Sequence, residues 1–73
     1  MRALIVFLIR KRLGLKKYEY FRFANQKTDA KYFFADEAVI KIENGWPELS
    51  GVSLNWLLDD NCEIVRVNEC WRD

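Results

Sequence analysis

The chain contains no histidine and only two cysteines, and these shortages limit the chemistry that it can perform. Histidine is the usual general base near neutral pH, so its absence removes the commonest acid–base catalyst. Cys62 and Cys70 lack the close Cys-x-x-Cys spacing of a zinc or redox site, and zinc would need carboxylates beside these two thiolates. We therefore predict a non-enzymatic protein without a metal ion or a cofactor.

The acidic run Asp59-Asp60-Asn61 does not change this expectation. A calcium loop needs spaced oxygen ligands, a glycine at its turn and a closing glutamate, and three adjacent side chains do not provide them. Two cysteines are also too few for the disulfide framework of a small secreted domain. We expect two reduced thiols in a cytoplasmic protein, with a Cys62–Cys70 bridge as the alternative.

Long hydrophobic runs are missing as well. The run Ala3–Ile9 has seven apolar residues, whereas a membrane-spanning helix needs about 20. A signal peptide needs a longer apolar region followed by small residues, and here Arg-Lys-Arg follows. We predict a single domain over residues 1–73 without a transmembrane segment, made of a basic and apolar N-terminal segment (1–16) and a β-rich body (17–73).

The body is organised around the stretch Lys17–Ala35. Two aromatic runs in this stretch flank a polar segment of seven residues that contains Asn25 and Asp29, and this pattern predicts an antiparallel hairpin. The first strand alternates between two faces, with Glu19, Phe21 and Phe23 on one and Tyr18, Tyr20 and Arg22 on the other. We expect the phenylalanine face to point inward and the tyrosines to lie at the margin of the core.

Further elements follow the hairpin. Alternation over Ala38–Glu43 predicts a third strand, which ends at the turn signal Asn44-Gly45. We interpret Trp46–Gly51 as a loop, because Pro47 is the only proline and cannot donate to a strand ladder.

The C-terminal third predicts one short helix and one strand. Ser53 is expected to cap a helix of one or two turns over Leu54–Asp60, which would bury a shared face formed by Leu54, Leu57 and Leu58. Cys62–Val67 is predicted as the last strand, and Asn68–Asp73 as a tail that Trp71 can anchor. The predicted fold is therefore α+β: a small antiparallel β-sheet of three to five strands with one short helix packed on it.

Acidic residues are absent from the first 17 positions, which carry six basic side chains. Residues 18–73 carry six basic and eleven acidic side chains, a net charge of −5. The overall charge of +1 therefore hides a strong separation of charge between the N-terminal segment and the body.

The run Ala3–Ile9 is apolar on every side and has no period, so three structures stay open for it. We favour a strand buried in the middle of the sheet. A helix over about Arg2–Leu13 would place cations in its last turn and Gly14 just after its cap. A membrane anchor lying on the surface would use the basic flank, but the run has no polar face. We expect the run to be buried, in the sheet or against a second copy of the chain.

Three stretches carry a resemblance over residues 18–67: Tyr-Glu-Tyr-Phe-Arg-Phe, Tyr-Phe-Phe and Val-Ser-Leu-Asn-Trp-Leu-Leu-Asp-Asp-Asn-Cys-Glu-Ile-Val-Arg-Val. They resemble small uncharacterised proteins encoded by phages and prophages of low-GC Gram-positive bacteria. The resemblance implies an intracellular, phage-derived accessory protein in the host cytoplasm, and it transfers no catalytic or binding residue. Residues 1–16 depart from the pattern, because the similar proteins tend to begin near Tyr18.

Aromatic residues make up 15% of the chain, and so small an interior must leave some of them near the surface. Trp, Tyr and Arg concentrate binding energy at protein interfaces. We therefore predict a protein partner or a homo-oligomer. The alternative is nucleic-acid binding by the basic N-terminal segment. The candidate interaction surface consists of Arg10, Lys11, Arg12, Tyr18, Tyr20, Arg22 and Trp46.

Overall fold

The computed structural model describes residues 2–59 and 62–71, which form an α+β arrangement of five antiparallel strands and two helices. Helix α1 spans Arg2–Arg12 and helix α2 spans Leu54–Leu57. The strands are β1 (Glu19–Phe23), β2 (Lys31–Phe34), β3 (Val39–Glu43), β4 (Trp46–Leu49) and β5 (Ile64–Cys70), and their order in the sheet is β4-β3-β2-β1-β5. The predicted fold class is confirmed, with the sheet at the upper end of the predicted strand number.

The predicted hairpin is formed by β1 and β2, in which Phe21 lies opposite Tyr32. Its loop is held together mainly by Gln26. The side-chain oxygen of Gln26 accepts a hydrogen bond from the Phe23 N–H at 3.1 Å, and its amide nitrogen donates to the Thr28 carbonyl at 2.8 Å. One side chain thus satisfies backbone groups at the end of β1 and within the loop, and it stabilises the connection between the two strands.

A fourth strand occupies part of the region that the sequence predicts to be a loop. Asn44 and Gly45 have φ angles of 56° and 76°, as a two-residue hairpin requires, and Glu43 lies opposite Trp46. The loop prediction is therefore wrong for residues 46–49. Pro47 is tolerated because β4 is an edge strand, and because its pair with Ile42 is of the type that exchanges no backbone hydrogen bonds.

The favoured strand over Ala3–Ile9 is also wrong, because this run lies within α1. The helix that the sequence offers as the alternative is present, and it ends just before Gly14 as that alternative predicts. Gly14 has a φ of 75°, its N–H donates to the Lys11 carbonyl at 3.1 Å, and the Leu15 N–H donates to the Arg10 carbonyl at 3.1 Å. This pair of bonds is a Schellman motif, and Arg10, Lys11 and Arg12 stabilise the negative end of the helix dipole.

The main core lies between the helices and one face of the sheet. Side chains from both layers form one buried cluster: Val6, Ile9, Leu15, Phe21, Phe34, Val39 and Leu57. Phe23 packs against this cluster, so the prediction that the phenylalanine face of the first strand points inward is confirmed. The N-terminal segment therefore contributes to the same core as the β-rich body.

Strand β5 extends three residues beyond the predicted Val67, into the predicted tail. Asn68 adopts a φ of 65°, and β5 advances four residues, from 66 to 70, while β1 advances two, from 21 to 19. This bulge lets the strand continue past the polar residues that appeared to end it. The Trp71 backbone N–H then donates to the Tyr18 carbonyl at 2.8 Å, and the Trp71 ring stacks on Phe33, so Trp71 anchors the chain as predicted.

Helix α2 is a single turn and ends at Leu57; of the predicted helix, Asp60 lies outside the described residues. Ser53 occupies the N-cap position, but its side chain makes no capping hydrogen bond. Leu57 is 2% exposed, whereas Leu58 is 40% exposed. Leu58 is therefore not on the buried face that was predicted for Leu54, Leu57 and Leu58, because the helix ends at Leu57.

The two adjacent leucines provide a matched test of this packing. Leu57→Ala is expected to lower the free energy of unfolding by about 2–5 kcal/mol, since it removes a fully buried side chain and leaves a cavity. Leu58→Ala is expected to cost less than about 1 kcal/mol, as surface substitutions usually do. Urea denaturation of both variants measures the difference. Equal costs for the two variants would show that α2 packs on another face.

Candidate interaction surfaces

The helices cover one face of the sheet, and no element of residues 2–59 and 62–71 covers the other, which we call the open face. The strand register aligns a row of apolar side chains on this face. Leu49 lies opposite Ile40, and Ile40 lies opposite Phe33. The pairing of β1 with β2 continues the row to Tyr20, and Val67 packs at its β5 end. The row therefore crosses all five strands.

Phe33 is buried on the open face although no helix covers it. Three aromatic rings surround it. Trp71 stacks on its ring at 5.2 Å with an interplanar angle of 10°, and Tyr18 and Tyr20 approach edge-on at 6.3 and 5.8 Å. Such contacts are favourable beyond the area that they bury. The open face therefore presents an aromatic cluster held in a fixed arrangement.

Charged side chains of both signs flank this cluster. The Lys31 Nζ lies 4.8 Å from the Tyr20 ring centre and 3.5 Å from the Glu69 carboxylate. Arg22 donates from Nη2 to the Thr28 carbonyl at 2.6 Å, and this bond ties it to the hairpin loop. The open face is therefore apolar in its middle row and carries mixed charge beside it.

Glu19 is a buried carboxylate on the opposite, helix-covered face, where it receives two hydrogen bonds from Arg66, at 2.7 and 2.9 Å. The Lys16 backbone N–H donates a third at 2.8 Å. These partners, Arg66 above all, lower the pKa of Glu19 although burial acts to raise it. The pair joins the start of β1 to β5 beside the bulge.

The pairing of Glu19 with Arg66 was not predicted, although the sequence contains a signal for it. Alternation places Glu19 on the same face as Phe21, and a carboxylate among buried aromatic side chains needs a cation. Arg66 shares a face with Ile64 in the last predicted strand. The two faces meet because β1 and β5 are neighbours, and strand order is the information that the sequence pattern does not contain.

The second candidate surface is the outer face of α1, formed by Leu4, Ile5, Phe7 and Leu8. Leu4 is 59% exposed and Leu8 is 56% exposed. The expectation that the whole run is buried is thus correct only for residues such as Val6 and Ile9. Cations adjoin this face: the Arg10 guanidinium and the Lys11 Nζ lie 5.4 and 5.8 Å from the Phe7 ring centre.

The structure divides the predicted interaction residues into three groups. Tyr18, Tyr20 and Arg22 lie together at the open face, and Arg10, Lys11 and Arg12 form the last turn of α1. Trp46 lies apart on β4, where strand alternation gives it the face opposite to that of Leu49. Sequence reasoning did not predict that Leu49 and Phe33 belong to the open face. The sequence pattern places Leu49 in a loop, and the position of Phe33 in the row depends on the strand register.

No protein-family model, curated protein or solved structure matches the chain. The resemblance to phage proteins therefore stays a prediction. Within the part of the chain that the structure describes, no three potential metal ligands converge, and no helix is long and apolar enough to cross a membrane. The two surfaces described above are the basis for assigning a function.

Proposed function

We propose that the protein is a non-enzymatic, phage-derived accessory protein that self-associates through the open face of its sheet. The row of apolar side chains that crosses all five strands carries this proposal. Tyr20 and Phe33 in the middle of the row are buried, and the row ends at Leu49, which is 74% exposed. An exposed apolar side chain at the end of an apolar row favours an interaction site, because exposing it to water is unfavourable.

The charges on the open face favour a second copy of the chain as the partner. A two-fold interface brings the same patch of both subunits together, so that patch must complement itself. Lys31 and Glu69 form an ion pair within one chain. Across a two-fold axis, Lys31 of one copy can pair with Glu69 of the other, and Glu69 of the first copy with Lys31 of the second. The outer face of α1 has Arg10 and Lys11 beside its Phe7 ring, and pairing it with itself would bring these like charges together.

The aromatic cluster gives the open face suitable anchor residues. Trp and Tyr side chains supply most of the energy in many interfaces. Trp71 is already fixed by its stacking on Phe33, and Tyr18 by its edge contact with the same ring. Little side-chain freedom is then lost on association, which favours binding.

Association through the face is also more favourable than association through the sheet edges. At the β4 edge, the outward-facing position of Pro47 has no N–H to donate to an added strand. At the β5 edge, the bulge at Asn68 distorts the ladder, and Arg66 and Glu69 add charge. Both edges therefore disfavour pairing with a further strand.

Two exposed residues of β4 allow a matched test of the proposal by sedimentation equilibrium. Leu49 lies on the open face and Trp46 on the other, and they are 74% and 72% exposed. Leu49→Ser is expected to weaken the dimer about tenfold, equivalent to about 1.4 kcal/mol. Trp46→Ser is expected to leave the dissociation constant unchanged. A wild-type chain that stays monomeric, or an equal effect of both substitutions, would contradict the proposal.

Nucleic-acid binding remains the alternative function. It has the support of the cations at the end of α1 and in the turn that follows, with Lys16 and Lys17 exposed. Phosphate binding would weaken steeply with added salt, whereas association through the apolar row would not. Nucleic-acid binding does not account for the exposed Leu4 and Leu8, because a phosphate backbone offers no apolar surface to cover them.

A further inference from the structure

We propose that the outer face of α1 binds an anionic membrane surface, with the helix lying in the plane of the interface. This proposal concerns a different surface from the one used for self-association. At 11 residues, α1 is about 16 Å long, which suits a helix lying on a bilayer.

The outer face of α1 reverses the usual pattern of a surface helix. A helix at the surface of a globular protein normally turns its polar side to water. In α1, Val6 and Ile9 are buried against the sheet, while Leu4, Phe7 and Leu8 are exposed. The side that faces away from the protein is therefore apolar.

The N-terminal run has no polar face, and the packing of α1 on the sheet shows why this helix does not need one at a membrane. A free helix at a membrane needs a polar side, because its other side is immersed in water. Here that other side is buried, since Val6 and Ile9 are among the least exposed residues of the chain. The body of the protein thus takes the place of the polar face, and the apolar outer face remains for lipid.

Charge identifies the occupant as an anionic membrane. Lys11, Lys16 and Lys17 are exposed, and the first 17 residues contain no acid. Basic residues that adjoin a membrane-binding helix are attracted to anionic lipid headgroups. An anionic bilayer offers both an apolar interior for Leu4 and Leu8 and negative charge for the lysines.

Two acidic residues lie beside α1 in one groove. Asp36 and Glu37 line the groove between α1 and the turn that joins β2 to β3, together with Arg10 and Lys17. Lys11 and Lys16 lie outside that groove and line a separate depression at the C-terminal end of the helix. Cations therefore remain beside the outer face of α1 away from these acids.

Helix α2 extends the apolar surface of the helical layer. Its residue Trp56 is exposed, as is Leu58 immediately after it. Ile5 of the outer face lines a groove with Val52 and Leu54, so the two helices adjoin each other. Tryptophan favours the headgroup region of a membrane, and the exposed Trp56 belongs to the helix that adjoins α1.

Co-sedimentation of the full chain with lipid vesicles tests the proposal. The probes are vesicles of phosphatidylcholine alone and of phosphatidylcholine with about 25% phosphatidylserine. We expect partition into the anionic vesicles to be at least about tenfold stronger and to weaken with added salt. Comparable partition into both kinds of vesicle, or none into either, would overturn the proposal.

Matched variants locate the contact. Leu4→Ser combined with Leu8→Ser is expected to reduce partition by at least about tenfold, because two lipid-facing side chains are lost. Leu49→Ser, a leucine-to-serine substitution on the open face, is expected to leave the partition into vesicles unchanged. Lys11→Gln combined with Lys16→Gln alters no buried side chain, and is expected to remove the preference for anionic vesicles even if the leucine variant does not fold.

Two outcomes would assign the outer face of α1 to something else. An equal loss of partition in the Leu49 variant would place the lipid contact elsewhere. A dimer that dissociates when Leu4 and Leu8 are replaced would show that a second copy, rather than lipid, covers this face. Failure of self-association alone leaves the vesicle result unaffected, so the two proposals are tested separately.

Discussion

Replacing Phe21 by alanine is expected to reduce the free energy of unfolding by about 3–5 kcal/mol. Phe21 is fully buried in β1, which lies between β2 and β5. Its ring stacks on Phe34 at 5.1 Å and on Tyr32 at 5.9 Å, and Phe23 approaches it edge-on at 5.5 Å. Alanine would leave a cavity at the centre of the main core, which the rigid sheet cannot close.

Thermal and urea unfolding followed by circular dichroism measure this cost. Trp46→Ala is the control, because it removes an exposed aromatic side chain and is expected to cost less than about 1 kcal/mol. A domain of this size has a small margin of stability, so Phe21→Ala is expected to be largely unfolded. Phe21→Leu keeps most of the apolar volume and is expected to fold with an intermediate loss. A Phe21→Ala variant as stable as the Trp46 control would contradict this description of the core.

Arg66→Ala is expected to destabilise the protein at neutral pH, because it leaves the buried Glu19 carboxylate without its cation. Solvent screening limits the loss, since the Arg66 side chain is 45% exposed. The Lys16 N–H still donates to Glu19 in this variant and offsets part of the cost. Lys41→Gln, which breaks the exposed contact with Glu48 at 3.1 Å, is expected to destabilise the protein less than Arg66→Ala does in the same urea unfolding measurement.

The contribution of this pair depends on pH in a defined direction. Arg66 lowers the pKa of Glu19 below its ordinary value of 4.5, so the folded state favours the ionised form. The stabilisation is therefore present above that value and is lost as the pH falls through the lowered pKa of the folded state. We expect the stability difference between the wild type and Glu19→Gln, measured by urea unfolding, to shrink below about pH 4.5. A difference that stays constant into acid would show that Glu19 is not held as a carboxylate.

The body of the fold was predictable where one periodicity dominates. Phe21 and Phe23 alternate with Tyr20 and Arg22, and a period of two with aromatic residues specifies a strand and its buried face. Asn44-Gly45 specifies a tight hairpin because both residues accept positive φ angles. These local signals need no knowledge of which elements are neighbours.

The errors occur where the environment of a segment decides its structure. Pro47 excludes a central strand but not an edge strand, and the sequence does not show that β4 lies at the edge. Ala3–Ile9 is apolar throughout, and so fits a central strand as well as a helix whose outer face stays exposed. Gly14 and the preceding cations indicated the helix, and these terminal signals were more reliable than the composition of the run.

The candidate surfaces were predictable to a similar degree. Tyr18, Tyr20 and Arg22 were assigned correctly to one face by alternation. Their association with Trp71 and Leu49 was not predicted, because it depends on the bulge in β5 and on the register of the β3–β4 hairpin. Both features arise from pairing between strands, which a single sequence does not display.

The proposed self-association is tested most directly by methyl NMR spectra of the full chain over a dilution series. If the open face joins two copies, the methyl signals of Leu49, Ile40 and Val67 should shift with protein concentration, while those of Leu4 and Leu8 should not. Shifts confined to Leu4 and Leu8, or spectra that do not change with concentration, would contradict this account.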